Sequence, residues 1–299
     1  LVVSVLDGLN ALLQKHLVQR FTASDGEPRF TMLETVREYA LEQLTERGEA
    51  DLAQAVHAAY FRDLAVQVAP LLRGPEQIAW LDRLDEEHAN LRVALSWLFE
   101  AGDVAGAVQL AASLYWFWYV RGYFGEGYAW LSRALQAANA SSGDVAMMPQ
   151  AYTLDQARFA MAHLTLARGD LRAAQEQLRA LAADLRDLNT AFANDVDVRK
   201  LLIQTFIRLL QVEGMLSRIP PQSQIDEMMA LTSALNDRRA IAEHSLNYGR
   251  GALYGMGRPD LARPVIQRSV EIFLTLGDFW ALTLATADLG MLALLDGDL

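Results

Sequence analysis

From Asp51 to the end of the chain, apolar residues recur every three or four positions and glycine punctuates the pattern. Leu171, Ala174, Leu178, Leu181, Ala182 and Leu185 make one continuous stripe, and Ile225, Met228, Met229, Thr232 and Leu235 make another. This period predicts amphipathic helices that hide one face on a neighbour. The first fifty residues read differently. Val5–Lys15 is helical in pattern, whereas Leu17–Phe21 and Arg29–Leu33 alternate as strands on either side of the turn Ser24-Asp25-Gly26-Glu27-Pro28. A helix over Glu34–Arg47 follows, with Val36, Tyr39, Ala40 and Leu44 at helical spacing and Gly48 as its stop. Helices over Asp51–Ala69 and Pro75–Ala101 then lead into the more regular part of the chain.

The glycines Gly122, Gly169, Gly214, Gly257 and Gly297 are spaced by 47, 45, 43 and 40 residues. Read as the ends of alternate helices, they predict stacked helical hairpins, each glycine supplying the positive φ needed where the chain reverses. Gly102, Gly169 and Gly257 are each followed five residues later by an alanine, Ala107, Ala174 and Ala262, where paired helices must approach closely. Pro220 and Pro221 break the expected start of a helix, which predicts a longer loop after Gly214. Another loop is expected over Asn139–Gln150.

Composition limits the chemistry. Hydrophobic residues make up 52% and charged residues 21%, a balance that folds. The formal charge of -11 argues against a surface that tracks phosphates, because nucleic-acid affinity rests on clustered Lys and Arg. Cysteine is absent, so thiolate sites and disulfides are excluded. No apolar run reaches the roughly 20 residues of a membrane span. These features suit a cytoplasmic protein that binds neither nucleic acid nor membrane directly. The start at Leu1 and the end at Gly297-Asp298-Leu299 give both termini the look of cuts in a longer polypeptide.

A helix, a hairpin and a helix in about 45 residues read as the second half of a winged helix, and the later glycine-punctuated hairpins resemble tetratricopeptide repeats. Leu289-Gly290 before Gly297 and Met161-Ala162 before Gly169 fit that repeat. The order of a winged helix, then Phe30-Thr31-Met32-Leu33-Glu34-Thr35-Val36-Arg37-Glu38-Tyr39-Ala40, then repeats resembles the C-terminal portion of bacterial STAND signalling ATPases. The stretches Arg73-Gly74-Pro75-Glu76, Trp80-Leu81-Asp82-Arg83-Leu84 and Asn90-Leu91-Arg92 add to that likeness. It implies an all-α, tetratricopeptide-like α-solenoid over 102–299, bridging helices over 49–101 and a winged-helix portion over 1–48. It further implies a nucleotide-binding domain elsewhere in the same polypeptide, with ATP or ADP as that domain's cofactor. Many members place Met-His-Asp where this chain has Met32-Leu33-Glu34, and leucine offers no hydrogen bond to a nucleotide. No Gly-x-x-x-x-Gly-Lys-Ser/Thr occurs in these residues. Leu33, Glu34 and Arg37 are the expected interdomain contacts.

The candidate chemistry is that of binding. His16, His57, His88, His163 and His244 show no metal-ligand spacing, no Gly-x-Ser-x-Gly elbow is present, and Asp82, Asp85, Glu86 and Glu87 read as a solvated helix face. The densest feature is Leu114-Tyr115-Trp116-Phe117-Trp118-Tyr119. Successive rings point about 100° apart, so Phe117 and Trp118 fall on the core stripe with Ala107, Leu110, Ala111 and Leu114. Trp116 and Tyr119 fall on another side. That side either lines a concave groove or packs on an adjacent helix. Projecting the repeat adds Gln156, Phe159 and His163 from the second inner helix and His244, Asn247 and Tyr254 from the fourth, a mixed aromatic and polar strip suited to a ligand or partner. Two readings follow: a non-catalytic sensor module that takes a small-molecule inducer or a protein partner on its concave face, and an oligomerisation scaffold that binds no small ligand.

Overall fold

The computed structural model describes residues 5–22, 26, 28–140, 148–192, 195–216, 218 and 221–297. Among them are fourteen α-helices and one two-stranded sheet. Helix α1 (Val5–Gln14), strands β1 (Gln19–Thr22) and β2 (Pro28–Thr31) and helix α2 (Glu34–Glu46) come first. The strands pair antiparallel with Arg20 opposite Phe30. Each is one residue shorter than the alternating pattern suggested; β1 is shifted to Gln19–Thr22, and β2 stops at Thr31 because Met32 and Leu33 already lead into α2, whose N-cap is Leu33. Gly26 has φ +83° at the hairpin turn, and Ser24, Asp25 and Glu27 of that turn lie outside the described residues.

Helix α3 (Ala50–Val68) passes through a 3₁₀ turn (Ala69–Arg73) into α4 (Gln77–Glu86) and α5 (His88–Glu100). The single helix expected over Pro75–Ala101 is thus two, broken at Glu87. Then come α6 (Val104–Arg121), α7 (Phe124–Ala140), α8 (Met148–Ala167), α9 (Leu171–Ala191), α10 (Val196–Met215), α11 (Gln222–Leu235), α12 (Arg238–Arg250) with a π-helical turn (Gly251–Gly255), α13 (Pro259–Leu276) and α14 (Phe279–Asp296). Residues 141–147 of the expected loop, and Pro220, lie outside the described residues.

A recurring dipeptide sets the hairpins. Gly102, Gly169 and Gly277 adopt positive φ and close one helix, and the next residue, Asp103, Asp170 or Asp278, accepts from a backbone N–H of the following helix. The glycine tolerates the left-handed conformation, and the aspartate satisfies an orphan donor of the first turn. Asn236-Asp237 performs the same reversal between α11 and α12, with Asn236 at φ +50°. Gly214 departs from its expected role. It lies inside α10, which continues to Met215, and a Cβ there would meet Gly251 Cα at 3.8 Å. Its smallness lets two inner helices approach rather than letting the chain turn.

Helices α6, α8, α10, α12 and α14 pack in succession, and α7, α9, α11 and α13 each follow and pack on one of them. Ala107, Ala174 and Ala262 are fully buried at these crossings. The apolar core runs as three successive clusters, over α3–α8, α8–α12 and α12–α14. Phe117 and Trp118 are fully buried in the first, as their stripe requires. The accessible surface of 16244 Å² exceeds the about 12,600 Å² of a compact 33.2 kDa chain. Helix α14 is apolar enough to pass for a span by composition, with a mean hydropathy of 1.4 over 18 residues. In the fold it is the last inner helix, and its Asp288 pairs with Arg250 at 2.6 Å.

Candidate functional site

The chain between α3 and α4 crosses to the far end of the row of inner helices. Pro75 abuts Gly277, where a Cβ would come within 2.9 Å of the proline ring. The Gln77 side chain accepts from the Trp280 backbone N–H at 3.0 Å. Arg239 donates to the Arg73 carbonyl and pairs with Asp278. Residues 73–80 therefore form a strap from the first inner helix to the last.

At the start of this strap lies a buried ion cluster. Arg73 donates to Glu243 at 3.0 Å and to the Tyr115 hydroxyl at 2.9 Å, while its guanidinium stacks 3.7 Å over the Trp116 ring. Arg208 of α10 donates to the other Glu243 oxygen at 2.8 Å. Burial alone would raise the Glu243 pKa, but Arg73, Arg208 and Arg239 outweigh it and hold the carboxyl below its usual range. Burial raises the Tyr115 pKa, so its phenol stays protonated. One carboxylate thus ties the strap, α10 and α12 together.

Beside the cluster opens a cavity of about 520 Å³ between the strap, α6, α8, α10 and α12. Tyr115, Trp116, Tyr152 and Phe159 supply its aromatic wall; Gln109, Gln156 and Gln204 supply amides; Arg73, Lys200 and Arg239 supply positive charge. Burial, with Asp197 nearby, pushes the Tyr152 pKa up to about 12.

Three of the strip residues reach this cavity: Trp116, Gln156 and Phe159. Trp116 is closely packed, its indole N–H donating to the Leu72 carbonyl at 3.0 Å and its ring stacked on Tyr119 at 5.1 Å. Tyr119 and His163 form the layer behind it, with ring centroids 4.4 Å apart. His163 is buried, and neither ring nitrogen has a hydrogen-bond partner among the described residues. Burial, with Arg208 and Arg73 near, pushes its pKa well below the ordinary value. The structure places the α12 members of the strip elsewhere. Asn247 and Tyr254 line a second cavity of about 370 Å³ with Gly214, Gly251 and Gly255. The Tyr254 hydroxyl donates to Asp288 at 2.9 Å, and His244 packs near Tyr248.

The N-terminal candidates behave locally. Leu33 is exposed, and Arg37 pairs with Glu34 within the first turns of α2, because residues three apart on a helix are neighbours. The hairpin is instead held by Arg29, whose guanidinium lies 3.8 Å from Glu86 and 3.6 Å from Glu87. Asp82 and Asp85, expected on a solvated face, both pair with Arg121 at the end of α6. Among the described residues no group of three or more His, Asp and Glu side chains could hold a metal ion.

No family model matches the chain. Three relatives do, each 40% identical over 135 residues. Two belong to strains of Mycobacterium tuberculosis and one to Mycobacterium bovis, and each is named "Putative HTH-type transcriptional regulator". The match covers 44% of this chain and 15% of each relative's length. The chain is therefore related to a part of much longer regulator-type proteins.

The residues that build the ion cluster beside the cavity were missed in the sequence. Arg208 stands inside the apolar run Thr205–Leu210, and a cation there signals a buried partner. Its partner Glu243, and the 170 residues that separate Arg73 from Glu243, carry no sequence signal of pairing.

Proposed function

We propose that this chain is a sensor module of a larger transcriptional regulator, and that it takes a small-molecule inducer in the cavity between the strap and the inner helices. The observation that carries this reading is the 520 Å³ cavity itself. It falls in the 300–1,000 Å³ range of small-molecule sites and mixes aromatic walls with a few polar groups. A folded protein partner does not enter such a space. The ordered hairpins suit a tetratricopeptide-like solenoid, and the helix, hairpin and helix at the start suit a winged-helix portion. On this reading the chain binds and does not catalyse, works in the cytoplasm, and signals to a nucleotide-binding domain of the same polypeptide that holds ATP or ADP. The strap is the natural relay, since it runs from the N-terminal part directly past the cavity.

The test is thermal unfolding of the chain with and without cytosolic metabolite fractions. Ligand at a hundred times its Kd adds about 2.7 kcal/mol of stability. Gln204→Trp, which fills the cavity from a partly exposed position, should abolish that gain. A gain that persists in the filled variant refutes the site. The alternative of an oligomerisation scaffold draws on exposed Leu274, Leu294 and Leu295 of α13 and α14, and a doubled mass in solution with no metabolite effect would favour it.

A further inference from the structure

The cavity is electrically unlike the rest of the protein. The chain carries a net charge of -11, yet the cavity lining holds three cations, Arg73, Lys200 and Arg239, against one carboxylate, Asp237. That carboxylate is occupied, since it accepts from the Arg239 and Ala240 backbone N–H groups at 2.9 and 3.1 Å as the cap of α12. Arg73 is matched by Glu243, and Arg239 by Asp278. Lys200 is matched by nothing: among the described residues it has no ion-pair partner.

Lys200 is one of two lysines in a chain with 26 basic residues, and it lines both the main cavity and the small recess that continues towards Glu243. An ammonium on a flexible stem is a point charge able to follow an anion, whereas the arginines here are fixed by fork geometry. Cation, amides and aromatic edges are arranged around one space. The amides of Gln109, Gln156 and Gln204 can satisfy polar atoms of a bound molecule, and the half-buried Tyr115 and Tyr152 present ring surface to its body, backed by the nearly buried Trp116 and Phe159.

We propose that the ligand of this cavity is a small anion with a flat apolar body, an aromatic carboxylate or phosphate, whose charged group is received by Lys200 with Arg239 beside it. This rests on the cavity being a ligand site. A negative group entering here gains the attraction of Lys200 and Arg239, which a neutral ligand of the same shape does not, and a cationic one is repelled.

The test is titration calorimetry of the full chain with matched pairs: 2-naphthoate against 2-naphthamide, and phenyl phosphate against phenol. The anion of at least one pair is expected to bind tenfold or more tightly than its neutral match, with affinity falling as salt rises. Lys200→Gln, at an exposed position that the fold tolerates, should cost that anion about tenfold, roughly 1.4 kcal/mol, and leave the neutral match unchanged. Equal affinity of the two members of every pair, or an anion affinity indifferent to Lys200→Gln, overturns the charge assignment. If a neutral member binds and Gln204→Trp abolishes its binding, the cavity survives as a ligand site and only the anion is wrong. If no member of either pair binds, both readings fall.

Discussion

Glu243 is the residue whose loss the structure predicts most sharply. Its two oxygens are held by Arg73 and Arg208, and its side chain is only 11% exposed. Glu243→Gln keeps the shape and removes the charge, leaving two buried guanidinium groups without an anion. Breaking a buried pair in this way costs about 3–5 kcal/mol, most of it the penalty of the orphaned partner rather than the worth of the bond. At about 2–4 °C per kcal/mol, the melting temperature should fall by roughly 10 °C. The double variant Glu243→Gln with Arg208→Met removes one orphan along with the carboxylate, so it should be destabilised by less than the sum of the two single changes, with a coupling of about 1–3 kcal/mol. Hydrogen exchange locates the loss, because protection should fall in residues 72–80 of the strap as well as in α12. A single variant within about 1 kcal/mol of wild type, or strictly additive singles, would show that the cluster is not what closes the strap onto the inner helices.

Acid should weaken the fold before the carboxylates titrate. The folded pKa of His163 lies below its unfolded value near 6.5, so its contribution is fully present above that pH and is lost as pH falls through the window beneath it, with a limiting slope of about 1.4 kcal/mol per pH unit. His163→Phe should flatten denaturation profiles between pH 6.5 and 5, with burial-lowered His57 and His244 leaving a residual slope. At pH 7 the same variant should be neutral or stabilising, since it removes two unpartnered buried nitrogens; a loss above about 2 kcal/mol would contradict this. Gly249→Ala should cost about 1–3 kcal/mol in urea unfolding, because its Cβ would lie 2.4 Å from Ile266 Cγ1 where α12 meets α13. Arg29→Ala should speed proteolysis of the N-terminal hairpin while leaving the global midpoint within about 1 kcal/mol, because the pairs it loses are long and the buried Glu87 keeps Arg83 at 3.4 Å and Asn90 at 2.7 Å.

The local code of the fold was legible in the chain. Stripes such as Leu171 to Leu185 gave the helices, and the alanines placed five residues after Gly102, Gly169 and Gly257 gave the close crossings, because both depend on spacing along one or two adjacent helices. The Gly-Asp reversal was equally local, and it shows why Asn236-Asp237 marks a turn and Gly214 does not. What only the tertiary structure decided is the closure of the row by residues 73–80. That closure packs Trp116 beneath Arg73, leaves His163 buried with no hydrogen-bond partner among the described residues, and separates Asn247 and Tyr254 from the other candidates. Arg73 and Glu243 meet across 170 residues of chain, and nothing in either residue's neighbourhood in sequence encodes that meeting. Periodicity states which face of a helix is hidden; contacts that only the folded chain brings together, such as Arg73 with Glu243, decide what hides it.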